Sequence, residues 1–289
     1  MNKFVLILAL AVMSCAQTLT ECADDAEIAS YLADWRAKRP ATALAHGGSL
    51  NDALCTQQKL VAALSSSHGR PVGYKAGLTS LSAQQRFGVS EPVRGVLLAG
   101  MLLEDGATVD PAFGARPLFE ADLLLVIADA AVNRATGIED ALAHVSAIRP
   151  FIELPDLALG TDQVLSAATL TAGNVGARWG IAGNEIPVDD PARMASALRD
   201  MTVRVFDAEG VLISTAAGSS VMGHPVNSLL WLIGQGIEFK PGDLVSVGSI
   251  GDLMPPSMAA GKATVVYAGL PGDPQVSVRF DKSSTDQAR

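Results

Sequence analysis

Two acids, Glu120 and Asp122, interrupt an otherwise apolar run, Leu118-Phe119-Glu120-Ala121-Asp122-Leu123-Leu124-Leu125-Val126-Ile127. The composition of this run predicts a buried strand. Side chains alternate faces along a strand, so both carboxylates point the same way, roughly 7 Å apart along it. Facing a core, they repel each other and are costly to desolvate. A bound divalent cation removes that cost, and oxygen-only ligands favour Mg²⁺, Mn²⁺ or Ca²⁺ over Zn²⁺. The other arrangement this spacing allows is a half-exposed strand with its polar residues turned outward. The unbroken apolar stretch after Asp122 weighs against it.

A chain of 289 residues can bury a large core, as one big domain or two modest ones. With 49% hydrophobic and 18% charged residues, its composition is that of a soluble globular protein. The net charge of −9, with no basic cluster, argues against a nucleic-acid partner and against charge-driven attachment to anionic lipid. The sequence holds no Walker loop, GxGxxG, GxSxG or Cys/His nucleophile pattern. His46, His68, His144 and His224 lack the paired spacing of a zinc hydrolase, and His224 beside Pro225 reads as structural.

The N-terminus differs from the rest. Met1-Asn2-Lys3 is a short positive start, Phe4 to Met13 is apolar but too short to span a bilayer, and Ser14-Cys15-Ala16 supplies small residues. This predicts a signal peptide over residues 1–16 and an exported, periplasmic protein. Two processings fit: cleavage after Ala16, or lipidation of Cys15 in a loose lipobox, Val12-Met13-Ser14-Cys15, in which Met13 is not the usual residue. Either way Cys22 and Cys55 remain, an even pair for an oxidising compartment. A bridge between them would close a loop of about 30 residues and stabilise by roughly 3–4 kcal/mol.

Along the chain, helical spacing and caps predict helices over Ala26–Lys38, after the Ser49 cap with Asp52 three residues on, over Ile138–Ile148, after Asp190-Pro191 and over Pro225–Ile237. Val72-Gly73-Tyr74-Lys75-Ala76-Gly77-Leu78-Thr79-Ser80 reads as a short strand, a turn, then a helix capped by Thr79 or Ser80 and stopped by Gly88. Lys75 precedes the turn and so faces backbone N–H groups free for an anion. Pro150-Phe151-Ile152-Glu153-Leu154-Pro155-Asp156 holds another acid in an apolar setting, and its prolines predict a short rigid strand or edge segment. Val203–Phe206 and Val211–Thr215 predict a hairpin. Further strands are expected over 244–247, 263–267 and 276–280. The order, a helical N-terminal part over 26–100 and a strand-rich part over 101–283, is α+β rather than alternating βαβ.

Taken together, these segments resemble a known family. Gly73-Tyr74-Lys75-Ala76-Gly77-Leu78-Thr79-Ser80, Gly88-Val89, Glu91-Pro92, Gly95-Val96-Leu97, Glu120-Ala121-Asp122 and Phe151-Ile152-Glu153-Leu154-Pro155-Asp156 look like 2-keto-4-pentenoate hydratases. So do Gly223-His224-Pro225-Val226-Asn227-Ser228, Lys240-Pro241-Gly242-Asp243 and the Val247-Gly248-Ser249 turn, all in the same order. These enzymes form the hydratase/decarboxylase branch of the fumarylacetoacetate hydrolase superfamily.

The resemblance implies a mixed β-roll behind a smaller helical N-terminal region. It implies Mg²⁺ or Mn²⁺ held by Glu120, Asp122 and Glu153, with Lys75 beside the substrate and the backbone around Leu78 and Ser249 on its carboxylate. The implied reaction is hydration of a small 2-oxo acid through a metal-stabilised enolate. Decarboxylation, or hydrolysis of an acylpyruvate, would use the same site, and a periplasmic binding protein would keep the fold without turnover. A homo-oligomer is the expected assembly. The chain departs from the family pattern at Asp122, where the family usually has Glu, and at Val93-Arg94, where it often has an acid. Gly173-Asn174-Val175-Gly176 departs as well.

Overall fold

The computed structural model describes residues 22–44 and 48–282, so the predicted signal segment, Cys15 and His46 lie outside the described residues. Helices α1 (Asp25–Arg36) and α2 (Leu50–His68) begin where the sequence supplies caps. Asp24 accepts from the Glu27 N–H and Ser49 from the Asp52 N–H, and each acid at the third position reaches back to the cap N–H. A disulfide joins Cys22 to Cys55 within α2, with Cα atoms 5.5 Å apart.

The chain continues through β1 (Pro71–Gly77), α3 (Leu81–Phe87), β2 (Val93–Leu98), β3 (Leu102–Glu104), β4 (Thr108–Val109) and β5 (Glu120–Ile127). Next come α4 (Ile138–Leu142), β6 (Val145–Leu154), α5 (Ala167–Ala172), β7 (Trp179–Ala182), β8 (Ile186–Pro187) and α6 (Pro191–Asp200). The last part is β9 (Thr202–Phe206), β10 (Leu212–Ala217), α7 (Val226–Gly234), β11 (Leu244–Ser246), β12 (Lys262–Ala268) and β13 (Gln275–Phe280). An eight-stranded sheet has the order β2-β1-β11-β5-β6-β7-β3, with β8 added beside β6, and a five-stranded sheet has the order β10-β9-β12-β13-β4. Parallel pairs β1/β11 and β3/β7 lie among antiparallel neighbours, which makes the first sheet mixed and the fold α+β.

Strand β5 is buried on both faces. Ala121, Leu123, Leu125 and Ile127 enter the main core with Val265, Val276 and other residues of the second sheet. Leu124 and Val126 point the other way, against Leu97 and Phe151. Each fully buried leucine here stabilises by about 1.5–3 kcal/mol. The acids therefore sit on the second face of a strand that cannot leave the interior. The N-terminal helices pack Tyr31, Leu32, Trp35, Leu60 and Leu64 against Leu98 and Met101 at the β2 side of this sheet. Strands β1 and β2 are themselves part of it, so residues 71–98 build the wall beside the acids.

Two local expectations are corrected. The helix predicted over Ile138–Ile148 stops at Leu142, and Val145 begins β6. From Val145 to Ala147 burial already alternates with period two, and pairing along β5 outweighs the helical spacing of Val145 and Ile148. The Pro150 segment is neither short nor an edge: β6 is ten residues long, with β5 on one side and β7 and β8 on the other. Pro150 is tolerated because it falls between the β8 pairing at Ala147–Ile148 and the β7 pairing from Phe151, where that side needs no N–H. His224 is structural: its Nε2–H donates to the Ala195 carbonyl at 2.9 Å and its Nδ1 accepts from the Val226 N–H at 3.1 Å.

Candidate active site

Antiparallel pairing of β5 with β6 sets Glu120 directly opposite Glu153, and Asp122 follows two residues on along the same face. One carboxylate oxygen from each of Glu120, Asp122 and Glu153 lies within 4.8 Å of the others, and all three residues are buried. Lys75 reaches this cluster from β1. It is 3% exposed, donates to a Glu153 carboxylate oxygen and to the Val175 carbonyl (3.0 Å), and leaves Glu153 Oε2 buried without a partner. The opposite residue on β2 has to be Gly95, because a Cβ there would stand 2.8 Å from Lys75 Cγ.

Asp122 is held most tightly. Its Oδ1 accepts from the Leu123 N–H (2.6 Å) and the Gly248 N–H (3.0 Å), and its Oδ2 accepts from the Ser246 hydroxyl (2.5 Å). Behind it, the Tyr267 hydroxyl lies 2.5 Å from the Asp122 carbonyl and 2.8 Å from that of Phe151, which braces β5 and β6 together at the acids. Burial, followed by the Glu153 charge, pushes Asp122 up to about 7 despite the hydrogen bond from Ser246. The same two causes hold Glu120 well above the usual carboxylate range. One lysine among three buried acids leaves an excess of negative charge, and Glu153 Oε2 is buried there without a partner. A hard divalent cation with oxygen ligands is the group such a donor set fits.

Glu120 of this cluster and Lys75 beside it line a pocket of about 400 Å³. Leu78 and Ser249 are among its lining residues, and Leu157, Leu170 and Val175 supply apolar wall. Leu78 and Val175 both have positive φ (56° and 53°), a costly backbone state for such side chains that places both at the pocket. Asn174 fixes the second turn by bonding the Val96 N–H (2.8 Å) and carbonyl (2.9 Å) through its side chain. The structure thus brings Lys75, Leu78, Glu120 and Ser249 to one cavity and sets Asp122 and Glu153 against Glu120. Sequence reasoning missed Ser246, Gly95, Tyr267 and the Val175 carbonyl. Only Ser246 carried a signal, a hydroxyl in the apolar run Leu244–Val247.

This mixed sheet, with its buried acids and lysine, has counterparts among proteins of known structure. The 4-oxalocrotonate decarboxylase of Pseudomonas putida G7, solved with magnesium and adipate, superposes with a TM-score of 0.76 at 23% identity, over 89% of this chain and 96% of that one. Within that fold, the relatives are specific. A 4-oxalocrotonate decarboxylase of Pseudomonas putida is 27% identical over 222 residues, 75% of this chain and 76% of the relative. A 2-keto-4-pentenoate hydratase of Dechloromonas aromatica is 26% identical over 189 residues, 64% of this chain and 70% of the relative. No family model matches the chain. The chain is a homologue of the 2-keto-4-pentenoate hydratases and 4-oxalocrotonate decarboxylases, on the fumarylacetoacetate hydrolase fold.

Proposed function

We propose that this chain is a divalent-metal-dependent lyase that hydrates a small 2-oxo acid of the 2-keto-4-pentenoate kind. The observation that carries this reading is the convergence of three buried carboxylates and a buried lysine, of which Glu120 and Lys75 line one pocket. Glu120, Asp122 and Glu153 would hold Mg²⁺ or Mn²⁺, which supplies Lewis-acid polarisation of the 2-oxo and carboxylate oxygens when bound. The relatives' names support the substrate class. Lys75 brings positive charge and a proton to the edge of the acid cluster, where negative charge develops on the 2-oxo oxygen. The Leu78 and Ser249 turns orient the carboxylate end, and the apolar walls keep bulk water from the rest of the substrate. The Cys22–Cys55 bridge supports export to an oxidising compartment, as the N-terminal sequence predicts.

Calorimetric titration with Mg²⁺ and Mn²⁺, with and without oxalate, tests the site, and loss of the dienoate absorbance of 2-hydroxypenta-2,4-dienoate tests turnover. The expected result is one ion per chain, tighter binding with oxalate, and hydration that stops when the metal is chelated. If neither metal binds, the reading fails.

Ser246 bears on the same site. Its hydroxyl fixes the shorter acid, Asp122, from the neighbouring strand β11. Ser246→Ala is expected to weaken Mg²⁺ binding by about 10–100-fold, the usual cost of losing a partner that orients a metal ligand. An unchanged affinity would mean that the Leu123 and Gly248 amides alone hold Asp122.

A further inference from the structure

Lys75 ends against one strained turn. Among the described residues its ammonium has two partners, Glu153 Oε1 and the Val175 carbonyl at 3.0 Å. Glu153 belongs to the acids, so the Val175 carbonyl is the anchor that lies outside the cluster. That carbonyl sits in a turn where Asn174, Val175 and Gly176 all have positive φ (55°, 53° and 67°). Two successive non-glycine residues stay in the left-handed region only where the surroundings over-determine them. Asn174 supplies that constraint. It is 1% exposed, and its side chain accepts from the Val96 N–H and donates to the Val96 carbonyl. Val96 lies on β2, an edge of the eight-stranded sheet, so the Asn174 amide stands where a further strand would pair. Gln57 of α2 ties the same two pieces together. Its amide donates to the carbonyls of Arg94 on β2 (2.7 Å) and Thr171 in α5 (2.8 Å), the helix that leads into the turn. Strand β2 also carries Gly95 in register with Lys75. A Cβ on Gly95 would stand 2.8 Å from Lys75 Cγ and 3.0 Å from the Asn174 carbonyl oxygen, so the lysine stem and the turn both lie against that glycine.

We propose that Asn174 is a positioning residue for Lys75: by pinning the turn to β2 it fixes the Val175 carbonyl, and through that carbonyl the place of the ammonium at the pocket. The proposal rests on the reading of Lys75 as the acid–base group of a 2-oxo acid site. With Glu153 as its sole partner, an ammonium on a flexible stem would follow that carboxylate. The second, immobile acceptor holds it at one point instead. Asn174 does not line the pocket, so its effect passes through the lysine. Asparagine suits the task twice over. It enters the left-handed region more readily than most side chains, and its amide offers the acceptor and the donor that a single edge residue needs.

The test is a double-mutant cycle on the full chain: wild type, Asn174→Gly, Lys75→Met and the two combined. Three readouts are needed: steady-state hydration of 2-hydroxypenta-2,4-dienoate, calorimetry with Mg²⁺ and oxalate, and competitive acetylation of the metal-free protein by acetic anhydride, mapped by peptide mass spectrometry. Glycine takes the positive φ without strain and removes the two side-chain bonds. Asn174→Gly is expected to lower kcat by about 10–100-fold, with KM, Mg²⁺ affinity and oxalate affinity within about threefold of the wild type, the scale on which a small misplacement of a reacting group acts. Acetylation of Lys75 is expected to rise about tenfold relative to the other lysines, because the released amine opens to the pocket. In the Lys75→Met background the same change is expected to cost no more than about twofold, since no ammonium is left to place. An equal loss in both backgrounds overturns the proposal, because Asn174 then acts on something other than Lys75. An unchanged labelling rate at Lys75 overturns it as well. Asn174→Asp keeps the acceptor for the Val96 N–H but sets an oxygen against the Val96 carbonyl. It is expected to show the same pattern, and it carries the test if the glycine variant does not fold. If the wild type binds neither Mg²⁺ nor oxalate and turns nothing over, the 2-oxo acid reading falls, and labelling alone decides whether Asn174 holds Lys75.

Discussion

Glu153→Gln is expected to lose Mg²⁺ binding while the protein stays folded. Glu153 lies opposite Glu120 across the β5/β6 ladder, its Oε1 is engaged by Lys75, and its Oε2 is buried with nothing else to bind. Glutamine keeps the volume and an oxygen that accepts from Lys75, so neither strand loses packing and the lysine is not stranded. It does lose the charge, and a neutral amide oxygen is a far weaker ligand for a hard cation than a carboxylate. The loss of affinity should exceed the ~10–100-fold that removal of an orienting partner costs. Without metal, the Glu153 charge raises the pKa of both Glu120 and Asp122, so its removal relieves repulsion in the cluster. The metal-free variant is therefore expected to melt within a few degrees of the wild type, and only the wild type should gain stability when Mg²⁺ is added. Calorimetry and thermal melts with and without the ion check both halves. A variant that still binds Mg²⁺ as the wild type does would remove Glu153 from the ligand set.

The acid pair was the most legible part of this molecule because a carboxylate within an apolar strand conflicts with burial unless something offsets it. Glu120 and Asp122 announce themselves on those grounds alone, and Glu153 repeats the pattern between prolines. The caps at Ser49, Ser80 and Asp190 were local features of composition, and each starts a helix. What the sequence hid was long-range pairing. Nothing near Ile148 says that Val145 to Leu154 will lie along β5, so a helical spacing could pass for a helix and Pro150 for an edge. The same holds within the site. Lys75 meets Glu153 across 78 positions and Ser246 meets Asp122 across 124, and no periodicity encodes such contacts. Gly95 shows the converse: its lack of a side chain is explained only once Lys75 is seen lying over it.

Lys75→Met is expected to separate binding from chemistry. The lysine is buried on β1 in register with Ser246 on β11, and its ammonium ends at Glu153 rather than in solvent. Methionine fills nearly the same space with an unbranched apolar chain, so the sheet and the close approach of Gly95 survive the change. Mg²⁺ binding should be retained or tightened, because Glu153 Oε1 is released from its ion pair. Oxalate binding should fall only modestly, since the Leu78 and Ser249 turns remain. Turnover, in contrast, should drop by about 10²–10⁴-fold, the usual worth of a positioned acid–base group. The drop belongs in kcat with little change in KM, because the charge of Lys75 is used where negative charge develops rather than where the ground state binds. Parallel measurement of Mg²⁺ affinity, oxalate affinity and steady-state kinetics on the wild type and this variant makes the division visible. Full activity in Lys75→Met would reduce the lysine to a counter-ion for Glu153, and lost metal binding would make it part of the scaffold that shapes the acids.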